Sequence, residues 1–207
     1  LTPFVKKSTF PVFADAIVSG GDVRAINING YSNRFSRKDL DKLQEEAKAY
    51  GAKGVLWIRV GEQDITSSFN KFFSNDQLWE LANVFGAKAN DLILIVAGEK
   101  KVVFDSLGFL RREIAGRLDL LDDMKYNLLW VVDFPLYEYD QEAGRFTAMH
   151  HPFTSPKIDD IPLMDTDPSK VRAMAYDIVL NGVELGGGSI RIHNKELQKK
   201  MFKTLGL

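Results

Sequence analysis

The chain has 207 residues, enough for one or two domains with cores of their own. Hydrophobic residues make up 45% and charged residues 27%, an ordinary globular balance, and a net charge of −1 excludes a global basic field able to hold a nucleic acid by itself. The absence of cysteine excludes disulfides and thiolate metal sites, and no apolar run reaches the roughly 18 residues of a membrane helix.

The opening "LTPFVKKSTFPVF" lacks the apolar stretch and cleavage site of a signal peptide, so a cytoplasmic protein is expected; with no initiator Met, a segment of a longer protein is expected as well. Downstream, "VRAINI" (23–28) reads as a strand. "SRKDLDKLQEEAKAYG" (36–51) reads as a helix. Ser36 and Asp39 form a candidate capping box, Leu40, Leu43, Ala47 and Tyr50 make one apolar stripe, and Gly51 is the stop. "GVLWIRV" (54–60) is a strand, "NDQLWELANVFG" (75–86) a helix, and "DLILIVAG" (91–98) a strand buried on both faces. Leu107, Leu110, Ile114 and Leu118 then fit a further helix. Helices and strands mixed over this length predict one small α+β or α/β domain.

The character changes near 119–127, where a domain boundary is expected. Beyond it come "LLWVVDFPLYEY", "TAMHHPFTSPK" and "AYDIVLNGVELGGGSIRIHN". Asn181-Gly182 is a strong hairpin signal, because a tight type I′ turn needs positive φ at both central residues. "NKELQKKMFKTLG" closes as a helix with Asn194 as its N-cap.

The glycine run 186–188 does not suit a phosphate loop: no Lys follows, and β-branched residues continue the strand. It is either a bulge serving sheet twist or a place where a ligand lies against the backbone. Glu184 and Arg191 are seven apart, so an unbroken strand puts them on opposite faces. If both serve one pocket, the register must break between them, and Gly186–Gly188 is where a break is expected. In a hairpin turning at 181–182, residues 179 and 184 pair, and Asp177 lies diagonal to Glu184 on the same face. Two carboxylates so close would suit an oxygen-ligated Mg²⁺. Each charge also has a bland alternative as a solvated surface group. His150, His151 and His193 match no usual zinc spacing. Lys71, among the phenylalanines of "SSFNKFF", either binds nucleic acid by charge and stacking or simply stays solvated beside packed rings.

These segments resemble the catalytic core of the bacterial-type aspartyl-tRNA synthetases between motifs 2 and 3 of the class II fold. "FPVFADAI", "VRAINING", "YGAKGVLWIRV" and "KFF" resemble the GAD domain inserted in those enzymes and also present in a tRNA-dependent amidotransferase. Together the resemblance covers almost the whole chain. It implies an α+β fold: a GAD-type insertion domain over 1–122 and a partial class II antiparallel sheet with a flanking helix over 123–207. It implies an aspartate–tRNA ligase, with His150 and Arg191 binding aspartate, Glu184 and Gly187 serving ATP, and Asp177 and Glu184 holding Mg²⁺, and with no catalytic nucleophile or base named. The implied partners are L-aspartate, ATP, tRNA(Asp) and possibly tRNA(Asn), with a homodimeric parent enzyme and no membrane. The alternative is a non-catalytic GAD module that docks tRNA in an amidotransferase, though such a module has no need of "HHPF" with "ELGGGSIRIH". Motif 1, the motif 2 Arg that grips the ATP α-phosphate, motif 3 with its Gly-Leu-Asp-Arg run and the anticodon-binding domain do not appear. Residues 1–207 alone are therefore expected to be inactive in aminoacylation. Residues 127–207 are expected to expose a sheet edge and to exchange amide hydrogens faster than 1–120.

Overall fold

A computed structural model of the chain describes residues 1–6 and 8–207, which divide into two compact units, Leu1–Leu121 and Asp122–Leu207. The fold is α+β, and every strand pair in it is antiparallel.

The first unit is a four-stranded sheet between two layers of helix. Its strands are β1 (Asp22–Ile28), β2 (Leu56–Val60), β3 (Ile65–Ser67) and β4 (Leu92–Gly98), in the order β1-β4-β2-β3. β4 lies inside the sheet, which is why its sequence is almost wholly apolar. Leu92, Leu94 and Val96 face one cluster with Leu40, Leu43, Val103 and Leu110, while Ile93 and Ile95 face a second with Phe13, Leu78 and Leu81. The first cluster belongs to helices α3 (Arg37–Ala47) and α5 (Lys100–Arg117), the second to α2 (Pro11–Val18) and α4 (Asn75–Asn83). The expected box at Ser36 forms: Asp39 N–H donates to Ser36 Oγ at 3.2 Å, and Ser36 N–H donates to Asp39 Oδ2 at 2.7 Å. A 3-10 turn extends α3 to Tyr50, and Gly51 ends it with φ +87°.

Among the described residues, four elements of this unit have no counterpart in the sequence reading: the short α1 (Thr2–Val5), α2, a 3-10 turn at Ser32–Arg34, and β3. α2 carried a usable signal, since Pro11 stands in its first turn, where a missing N–H costs nothing. Phe10, Phe13, Phe69, Phe72 and Phe73 pack ring against ring at centroid spacings of 4.7–6.2 Å. "SSFNKFF" therefore sends two of its three rings into or against the core, and Lys71 stays exposed.

The second unit holds a three-stranded sheet, order β5-β8-β9, from β5 (Leu128–Val132), β8 (Ala175–Leu180) and β9 (Val183–Ser189). A separate hairpin joins β6 (Tyr137–Asp140) to β7 (Arg145–Ala148). The core gathers Leu136, Tyr137, Met164, Val171, Ala173, Met201 and Leu205 between this hairpin, the short α6 (Leu163–Thr166) and α7 (Lys195–Leu205). Asn194 caps α7 by accepting from Glu196 N–H and Leu197 N–H at 2.9 and 3.0 Å. Much of the three-stranded sheet lies outside that core. Leu128, Trp130, Val132 and Val183 share one of its faces and are 55–64% exposed. What is open to solvent here is a whole sheet face and not only an edge.

Candidate functional site

The β8–β9 hairpin turns as its sequence dictates: Asn181 and Gly182 have φ of +49° and +84°, and the closing pairs are Leu180 with Val183 and Val179 with Glu184. Beyond them the register breaks. Ile178 pairs with Gly186, so Leu185 is an extra residue between the two pairs. The break thus falls one residue ahead of the glycine run and not within it. A bulge of this kind needs one residue bent out of the ladder, which Leu185 can supply without a glycine.

The break resets the alternation. Asp177 now pairs with Gly187 and Ala175 with Ser189. Paired residues point to the same side, so Asp177, Glu184, Gly187 and Ser189 share one face. Continuing the alternation past Ser189 puts Arg191 on that face as well. The segment after the paired histidines joins it there. Thr154 bridges to Arg191, Ser155 N–H donates to the Ile190 carbonyl at 2.8 Å, and Ile192 N–H donates to the Phe153 carbonyl at 2.8 Å. Thr154 is buried, and its Oγ lies 3.3 Å from Ser189 Oγ. Sequence spacing had placed the histidine segment and the glycine strand about forty residues apart; backbone pairing sets them side by side.

The glycines serve the neighbouring strand. A Cβ on Gly187 would stand 2.1 Å from Asp177 Oδ1, and one on Gly188 would stand 3.0 Å from the Tyr176 hydroxyl. One on Gly186 would meet nothing within 4 Å. Two of the three glycines therefore let Asp177 and Tyr176 lie across β9.

The two histidines are held differently. His151 Nδ1 accepts from Phe153 N–H at 3.1 Å, which uses it in a local turn. Among the described residues His150 makes no such bond, and its ring meets the edge of Phe134 at a centroid spacing of 4.7 Å. Phe134 follows Asp133, a residue at φ +61° whose carboxylate pairs with Lys157. That pair ties the end of β5 to the "TSPK" segment. Nothing in the spacing of Asp133 and Lys157 announces it, though a strand ending in Asp-Phe-Pro was a visible signal of a tight turn.

The GAD domain family model matches residues 13–107. Over its whole length the chain is 53% identical to the aspartate–tRNA(Asp/Asn) ligase of Caldanaerobacter subterraneus subsp. tengcongensis. It is 54% identical to the aspartate–tRNA ligase of Ruminiclostridium cellulolyticum and 52% identical to that of Halalkalibacterium halodurans. In each case it spans 35% of the relative's length. The chain is similar over its whole length to one segment of these bacterial aspartate–tRNA ligases.

Within that segment, the three charged side chains on the β8–β9 face are unspent. Among the described residues neither Asp177 nor Glu184 nor Arg191 has an ion pair or a side-chain hydrogen bond, and Glu184 and Arg191 are exposed. Surface charges are often idle, but here the register break brings a cation and two carboxylates to one face, so that both signs are present there. No group of three or more His, Asp or Glu among the described residues is placed to hold a metal ion. Asp177 and Glu184 by themselves supply two carboxylates on one face, two pairs apart along the hairpin, with Gly187 opposite Asp177. Two carboxylates are a donor set of the hard-oxygen kind that Mg²⁺ takes, and a Mg²⁺ held by them would draw its remaining ligands from waters and phosphate oxygens. His193 is exposed and lies between the strand end and the α7 cap.

Proposed function

We propose that residues 123–207 form part of the aspartate-activating site of an aspartate–tRNA ligase, and that residues 1–122 are its GAD-type insertion. The observation that carries this is the break at Leu185, which gathers Asp177, Glu184 and Arg191 on one face beside the His150 segment. Arg191 grips the side-chain carboxylate of aspartate. Its planar guanidinium can make two parallel N–H···O bonds to a carboxylate and only one good acceptor bond to an amide, so asparagine is rejected. His150, its face set by Phe134, contacts the same amino acid. Glu184 and Gly187 receive ATP, and Asp177 with Glu184 would hold Mg²⁺, which when bound neutralises phosphate charge. The α-carboxylate oxygen of aspartate forms a bond to the ATP α-phosphorus while the bond to pyrophosphate breaks. The terminal ribose hydroxyl of tRNA then attacks the aspartyl carbonyl and AMP leaves. Neither step needs a nucleophile from this chain, so no catalytic residue is named. The substrates are then L-aspartate, ATP and tRNA(Asp), with tRNA(Asn) a second acceptor, in a homodimeric cytoplasmic parent enzyme.

The alternative, a tRNA-docking module of an amidotransferase, is supported by the GAD match over 13–107 alone. It leaves the second unit and its three unpaired charges without a use. The test is binding of a non-hydrolysable aspartyl-adenylate analogue to the full-length protein by calorimetry. Arg191→Ala is expected to abolish measurable binding while Arg191→Lys retains part of it; unchanged affinity in Arg191→Ala removes the residue from the site.

A further inference from the structure

The first unit has an open sheet edge with a groove beside it, and neither belongs to the site above. β1 is an outer strand. Its beginning is closed off: Val23 N–H donates to Thr2 Oγ1 at 2.8 Å, and Thr2 Oγ1 donates to the Val23 carbonyl at 3.2 Å. These bonds show which way Val23 points, away from β4. By the alternation of an antiparallel strand, the N–H and C=O of Ala25 and Asn27 point the same way. Among the described residues these four groups have no backbone partner beyond the sheet. Thr2 therefore covers the edge at one residue and leaves the next two outward positions free.

Alongside runs a groove of about 490 Å³ between β1 and α5, lined in part by Ile26, Ile28, Tyr31, Arg111, Ile114 and Leu120. It is mainly apolar, with one exposed cation, Arg111, which has no ion pair among the described residues, and no carboxylate lines it. Asn27, also on its wall, keeps a buried Oδ1 without a hydrogen-bond partner.

We propose that this edge and groove dock an extended peptide segment bearing an acidic side chain, added as a fifth strand beside β1. Alternating backbone donors and acceptors match another peptide strand, which presents the complementary series at the same spacing. Alternate side chains of that strand enter the groove, where Ile26, Ile28 and Ile114 favour apolar residues and Arg111 favours a carboxylate. The inference does not depend on the ligase reading, and either can fail alone.

The probe is a blocked, fluorescein-labelled peptide Thr-Ile-Thr-Glu-Thr-Ile-Thr, with a control in which Lys replaces Glu, titrated against the whole chain by fluorescence anisotropy. The Glu peptide is expected to bind, with the Lys peptide and the Arg111→Glu variant each weaker by roughly fivefold or more, the scale of an exposed charge pair. Ala25→Pro removes one outward N–H, a change that edge strands tolerate, and is expected to abolish binding. Because that variant could fail to fold, amide chemical shifts of the unaltered chain are followed as well. Ala25 and Asn27 should move on adding the Glu peptide, and Asp177 and Arg191 should not. No binding by the Glu peptide, equal binding by the Lys peptide, or unmoved Ala25 and Asn27 amides overturns the proposal. Sedimentation showing the chain paired with a second copy through β1, and released by Ala25→Pro, overturns it too.

Discussion

The glycine run offers the sharpest physical test of the hairpin, because three neighbouring glycines have three different surroundings. None of them has a positive φ, so alanine is permitted by backbone conformation at each. At Gly186 an added methyl meets open space, and Gly186→Ala is expected to stabilise by about 0.5–1 kcal/mol through lost freedom of the unfolded chain. At Gly187 the same gain is opposed. The methyl would lie 2.1 Å from Asp177 Oδ1, 3.1 Å from Cγ and 3.2 Å from the Tyr176 carbonyl oxygen. Asp177 must rotate away or the strands must part, and overpacking of this order costs about 1–3 kcal/mol. Gly187→Ala should therefore be less stable than Gly186→Ala by at least about 1 kcal/mol in urea unfolding. Asp177→Ala removes the obstacle. In a double-mutant cycle Gly187→Ala should regain most of its loss in the Asp177→Ala background. Equal stability of the two glycine variants, or no coupling to Asp177, would refute the claim that Gly187 exists to admit the Asp177 carboxylate.

Other expectations are independent of that face. Asp91 is 2% exposed and accepts from Asn27 Nδ2, Gly30 N–H and Lys88 N–H at 2.8, 2.8 and 3.0 Å. Burial pushes its carboxyl up, but these bonds outweigh it and hold the group below its ordinary range. Asp91→Ala strands those donors and should cost about 3 kcal/mol in chemical denaturation; less than about 1 kcal/mol would show that the donors find water instead. In the second unit, Arg172 donates from Nε and from its guanidinium N–H₂ to the two Asp160 oxygens at 2.8 and 2.9 Å, and its backbone N–H adds a third bond at 2.9 Å. Those bonds hold Asp160 down at about 2. A carboxyl depressed in the folded state stabilises above its unfolded value of about 3.9, and that contribution disappears as the pH falls toward 2. Thermal unfolding followed from pH 5 to pH 2 should show a loss in the parent chain that is flattened in Asp160→Asn; parallel curves would dismiss the pair as the cause. Deleting Leu185 should give a regular strand with every flanking pair kept, so that Glu184 and Arg191, then six apart, stay on one face. Loss of the nuclear Overhauser contacts between the Ala175 and Ser189 side chains on that deletion would contradict the register argument.

Much of the first unit was legible because its signals are local. Ser36 with Asp39 and the apolar stripe of α3 both act within one or two turns of helix. β4 was legible because burial on both faces leaves an apolar run that few other elements produce. β3 and the β6–β7 hairpin were not, since three- and four-residue strands hold too few alternations to show a period. At the hairpin, Asn181-Gly182 fixed the closing pair, and parity correctly demanded a break if Glu184 and Arg191 were to share a face. The position of the break was not legible. Glycine tolerance pointed to Gly186–Gly188, whereas the bulge at Leu185 is set by pairing with β8, and the glycines answer to Asp177 and Tyr176 on that strand. The Asp133–Lys157 pair and the bridge from Thr154 to Arg191 were hidden for the same reason: both join residues far apart in sequence.

The proposed role of Arg191 is tested most directly by aspartate-dependent ATP–pyrophosphate exchange in the full-length protein. Arg191→Ala should raise the KM for L-aspartate by at least about thirtyfold, the lower end of losing one partner of a charge pair at an interface, while leaving the KM for ATP within about twofold. An unchanged KM for aspartate in a folded Arg191→Ala protein would contradict the assignment of the β8–β9 face as the amino-acid site.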